Sequence, residues 1–122
     1  MHDYDILVKR SKQSIDGVVD ETNDKKNHHY YTVFDVKPSI ADVNQCKMKV
    51  KTCIDKMSGG IRGLIYNEKL CVTLKNRSGV IIGKKCVPLG TAFKFHGHVT
   101  IEKMIDLPCS FQNIHSVRLH FV

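Results

Sequence analysis

Histidine and cysteine are the residues here best equipped for chemistry, and their tightest grouping is His96-Gly97-His98. On a β-strand, residues i and i+2 leave the same face, so both imidazoles are placed to hold one metal ion. A zinc site takes at least three protein ligands. His115, His120 and Cys109 are the candidates for a third, and none stands at a diagnostic spacing. His96 and His98 are therefore candidate ligands only, and neither a bound metal nor a cofactor is expected.

A nucleophilic cysteine needs a stabilised thiolate and partial exposure. Cys86, directly after Lys84-Lys85, fits best, although packing beside Val87 explains it equally well. Paired carboxylates are hard to find, because eight of the twelve acids lie in residues 1–42. Ser58-Gly59-Gly60-Ile61-Arg62-Gly63 looks like a phosphate loop but lacks the Gly-Lys-Ser/Thr ending and the GxGxxG spacing, so it reads as a glycine-rich turn. No catalytic residue is assigned, and the chain is not expected to be an enzyme.

The five cysteines (46, 53, 71, 86 and 109) are odd in number, form no CxxC pair and sit in apolar or β-like sequence. The start, Met1-His2-Asp3-Tyr4-Asp5, has no apolar signal region. Together these features predict five free thiols in an intracellular protein, cytoplasmic or nuclear. On that footing the sequon Asn76-Arg77-Ser78 is without consequence. No run of about 18 apolar residues exists, so no transmembrane helix and no membrane partner are expected.

The net charge of +7 is unevenly spread. Residues 43–101 hold eleven Lys or Arg against two acids, whereas residues 1–42 hold six basic and eight acidic side chains. Basicity of this kind admits a nucleic-acid or polyanion partner. The candidate contacts are Lys47, Lys49 and Lys51, with Lys84, Lys85 and Lys94. Nucleic-acid binding on a sheet would want exposed aromatics among the cations. Phe93 and Phe95 alternate with Lys94 and are expected on the opposite, buried face.

The elements that must position these residues read as β throughout. From Ala92 the alternation is strict, with Phe93, Phe95, Gly97, Val99 and Ile101 on one side and Lys94, His96, His98, Thr100 and Glu102 on the other. Before it come Leu70–Leu74, a turn at residues 76–79, Val80–Ile82, Cys86-Val87 and a break at Pro88-Leu89-Gly90. Further strands are expected at Tyr4–Lys9, at Tyr30–Val36, at Ile61–Tyr66 (with a turn at Asn67-Glu68) and at Ser116–Val122, where Val117, Leu119 and Phe121 face in. Tyr30 and Tyr31 point to opposite faces, so at most one is on the surface. Residues 39–57 fit two patterns: a helix capped at Ser39, or a strand in which Cys46, Met48 and Val50 alternate with Lys47, Lys49 and Lys51. The strand agrees better with its surroundings. The polar residues 10–29 lack periodicity and read as a mobile loop.

The predicted fold is mainly β: one domain over residues 1–122, an antiparallel sandwich or closed barrel, with α+β as the alternative if 39–57 is a helix. The leading functional reading is a non-enzymatic module acting through its surface, by self-association or on a partner protein. A nucleic-acid or polyanion binder using a basic face in residues 43–101 is the alternative, and a small Cys/His enzyme the second.

Overall fold

The computed structural model describes residues 4–7, 14–58 and 63–122. Eight strands run in chain order: β1 Tyr4–Leu7, β2 Ile15–Asn23, β3 His28–Pro38, β4 Cys46–Lys56, β5 Leu64–Lys75, β6 Ile81–Lys94, β7 His98–Leu107 and β8 Ser116–Phe121. A single 3-10 turn at Phe111–Asn113 precedes β8. The strands form two antiparallel sheets, β1-β8-β5-β6 (sheet 1) and β2-β3-β4-β7 (sheet 2). The result is a sandwich, not a closed barrel.

Period-two alternation builds the core. Met48, Val50 and Ile54 of β4 point in and are buried, as are Leu70, Val72 and Leu74 of β5 and Val117, Leu119 and Phe121 of β8. Lys47, Lys49 and Lys51 leave the opposite side of β4, so 46–56 is a strand and the helix alternative falls. Residues 39–45 are a loop, closed by Ser39 N–H donating to Gln45 O at 3.0 Å. Tyr30 is buried and Tyr31 is 44% exposed, as opposite faces require.

Four expectations about strands and turns need correction. Residues 15–23, read as part of a mobile loop over 10–29, are strand β2, paired along its whole length with β3; 8–13 lie outside the described residues, as does the end of the first expected strand at Val8-Lys9. The period was hidden because Glu21, Asn23 and His28 occupy inward positions and are buried. Asn67-Glu68 is not a turn: β5 passes straight through it, and Glu68 goes inward. Ile61 and Arg62 lie outside the described residues. Pro88-Leu89-Gly90 does not break β6 but forms a bulge, since Gly90 faces Glu68 and Pro88 faces Lys69, leaving Leu89 unmatched. Leu89 is thereby turned into the core, and Gly90 takes φ 116°, which a side chain would resist.

The fourth correction matters most for function. Residues 92–102 are not one strand. The chain bends at residues 95–97 and passes from sheet 1 to sheet 2. Odd-numbered residues point into the core on β7, where Val99 and Ile105 are buried, but away from it on the last stretch of β6, after the bulge at Leu89. Phe93 and Phe95 are each 62% exposed, so the expectation of a buried aromatic face fails.

β6 and β7 are the free edges of their sheets on one flank. Lys85 and Lys94 on β6, and Lys103 on β7, stand at inward register positions yet remain exposed. Inward-pointing charge, a bulge and a proline are the devices by which edges avoid pairing with other chains. Two of the six candidate lysines are accounted for in this way.

Cys71 and Cys86 are directly opposed on β5 and β6 and form a disulfide, with Cα atoms 4.0 Å apart. This corrects the expectation of five free thiols. Cross-strand opposition is invisible when the cysteines are fifteen residues apart and the register shift between the turn and the pair, where Lys75 faces Ile81 and Leu74 faces Gly83, is unrecognised. Cys46, Cys53 and Cys109 are not in a disulfide. Cys46 Sγ donates to Cys109 O at 3.0 Å, and burial, then Cys46, push the Cys109 thiol up to about 12. Titration of the unfolded protein should therefore find three thiols without reductant and five after reduction. In the native state Cys53 should alkylate first, with Cys46 and Cys109 protected. Because the folded Cys109 thiol titrates above its unfolded value of 9.0, its contribution to stability is complete below about pH 9 and fades towards pH 12.

Candidate functional site

The outer face of sheet 2 carries the lysines singled out by sequence. Lys47 and Lys51 stand opposite Asp106 and Glu102 on β7, with ammonium–carboxylate distances of 3.7 and 3.9 Å. Lys49 faces Asp35 on β3, and Asp35 also pairs with Lys37 at 3.6 Å. The outward positions of this sheet hold four lysines (37, 47, 49 and 51) against six carboxylates (16, 20, 35, 55, 102 and 106), a net of −2. The cross-strand partners come from β3 and β7, outside the local pattern of β4, so a lysine row that reads as basic is a mixed ladder. Lys47, Lys49 and Lys51 do not form a basic face.

Sheet 1 is the reverse. The outward positions of β5, β6 and β8 hold Lys69, Lys75, Lys84 and Arg118 and no carboxylate. One acid position, Asp5 on β1, faces Arg118 in register. Among the described residues no carboxylate pairs with Lys69, Lys84 or Lys94. The six candidate lysines are thus split between the two sheets, and only Lys84 lies on the face that is positive. Sequence reasoning passed over Lys69 and Arg118; their alternation with Leu70 and Leu119 was the available signal.

At one end of this positive face stand three large apolar side chains. Ile65 faces Phe93 directly across β5 and β6, and the ladder continues where Gly63 N–H donates to Phe95 O at 2.7 Å. Ile65 is 71% exposed, comparable with the two phenylalanines. The Phe93 ring lies over Gly63, where a Cβ would come within 2.6 Å of it, so glycine at 63 seats the ring. The Phe95 ring meets His96 edge-on at 5.5 Å, and His96 stacks on His98 at 6.3 Å. Exposed aromatics and unpaired cations therefore do share a sheet face here.

The His96/His98 pair keeps a common side despite the bend, but no group of three or more His, Cys, Asp or Glu suited to a metal occurs among the described residues. Cys86, the candidate nucleophile, is held in the disulfide and has no thiolate to offer.

Beneath the aromatic end lies a buried polar cluster that sequence reasoning missed. Glu68 Oε1 accepts from Tyr30 O–H at 3.0 Å and from His28 Nδ1 at 3.2 Å, and Glu68 Oε2 accepts from Lys26 Nζ at 3.1 Å. Burial, then the Glu68 and Glu21 charges, hold the Tyr30 phenol well above its ordinary range, so it stays a donor. A cleft of about 310 Å³ opens beside the cluster, lined by Lys26, His28, Lys56, Leu64, Ile65 and Phe93. It presents no Cys or Ser nucleophile among the described residues. What the cluster does is close the end of the sandwich with mutually satisfied charges.

No protein-family model, curated protein or solved structure matches this chain. No helix among the described residues is long and apolar enough to cross a membrane.

Proposed function

We propose that this protein is a non-enzymatic binding module that works through the outer face of sheet 1. The observation that carries the reading is the asymmetry of the two faces: one balanced by carboxylates, the other positive and ending in exposed Ile65, Phe93 and Phe95. Exposed apolar groups grouped on one face mark interaction surfaces more often than singly scattered ones. Pairing two copies through this face would set like charges against each other, which favours a distinct, negatively charged ligand over self-association. The expected intracellular setting is weakened, because a Cys71–Cys86 bond fits an oxidising compartment and removes the all-thiol argument.

Three probes test the proposal at low salt: a single-stranded oligonucleotide, heparin and a Glu/Phe-rich peptide. At least one should bind, about tenfold or more weaker to Phe93→Ser/Lys84→Gln and unchanged with Lys47→Gln/Lys49→Gln/Lys51→Gln, since 1.4 kcal/mol is one decade. Failure of all three, or sensitivity to the β4 triple variant instead, rejects it.

A further inference from the structure

Resting on that reading of sheet 1, we propose that the ligand class is single-stranded nucleic acid, with bases stacked on Phe93 and Phe95 and phosphates held by Lys69 and Lys84. Phe93 stands at an outward position of β6, opposite Ile65, and Phe95 follows two residues on, at the start of the bend, where its carbonyl accepts from Gly63 N–H; both side chains are well exposed. His96 and His98 extend the row of rings past the end of β6.

Aromatic rings on an exposed sheet offer each base a flat partner whatever its identity, and cations alongside follow the backbone. A duplex keeps its base faces stacked and cannot use the rings. A protein segment would instead be anchored by side chains filling enclosed pockets, whereas both phenylalanines are 62% exposed. Charge complementarity points the same way. The outward row of β5, β6 and β8 has four cations and no carboxylate, and the ammonium groups of Lys69 and Lys84 pair with no carboxylate among the described residues. The outer face of sheet 2, with its net of −2, would repel the same ligand.

Fluorescence anisotropy with an oligothymidylate of about a dozen nucleotides, within the site sizes of small single-strand modules, tests this. In about 50 mM salt the full chain should bind the single strand and prefer it to the matching duplex. Two to four phosphate contacts give a slope of log K against log salt of roughly −1.4 to −2.8, and Lys69→Gln/Lys84→Gln should flatten it by about 1.4. Phe93→Leu and Phe95→Leu should each weaken binding roughly 5- to 150-fold, while Phe93→Tyr should retain it, because stacking needs the ring and not merely apolar bulk. Circular dichroism of every variant checks that the sheet is intact. Equal binding of duplex and single strand, or Leu serving as well as Phe, overturns the inference in favour of a general polyanion. Binding of the Glu/Phe-rich peptide to sheet 1 without the oligonucleotide overturns it while leaving the surface reading in place. No binding by any probe overturns both.

Discussion

Replacing Glu68 by Ala is expected to destabilise the fold by about 3–5 kcal/mol, the range for breaking a buried ionic pair from one side. The carboxylate is 2% exposed and is the common acceptor for Lys26, His28 and Tyr30. Its removal takes the shared acceptor from the Tyr30 phenol and the His28 imidazole, which keep each other at 3.2 Å, while Lys26, partly exposed, can turn towards water. Glu68→Gln keeps the shape and one acceptor, so the loss should be smaller, about 1–3 kcal/mol. Urea denaturation of both variants gives the comparison. Equal stability of Glu68→Ala and parent would mean the cluster is not the closure described.

Phe121→Ala should cost about 3–5 kcal/mol, despite its place one residue from the end of the chain. Its ring is 1% exposed and stacks on Tyr30 at 4.7 Å, 13° from parallel, joining sheet 1 to sheet 2. β8 also lies between β1 and β5, and Val122 exchanges backbone hydrogen bonds with Lys69, at 2.9 and 3.3 Å. Thermal unfolding should show a drop of many degrees. A shift within experimental error would mean that β8 is docked loosely.

Sequence patterning anticipated the β class, the inward set of β8 and the strand at Cys46–Lys56, because the inward residues it used (Val117, Leu119 and Phe121, and Cys46, Met48 and Val50) are all apolar. It failed where inward positions are polar. Glu68 is satisfied by His28 and Tyr30 across the sandwich, Asn23 by the backbone of its own turn, and a residue forty positions away cannot be seen in a local period. The same limit governs charge. Three lysines in alternation look like a basic face until the register brings Asp106, Asp35 and Glu102 beside them. Phe93 and Phe95 show a third failure. Their alternation is real, but the bend at 95–97 exchanges core and surface between β6 and β7, and nothing in the spacing marks a change of sheet.

The most direct test of the central claim is a backbone amide shift map of the protein titrated with the oligothymidylate probe. Perturbations are expected along β5 and β6, strongest at Phe93, Phe95, Lys69 and Lys84, with Lys47, Lys49 and Lys51 unmoved. Perturbation of β4 with a silent sheet 1, or a spectrum unchanged at saturating probe, would contradict it.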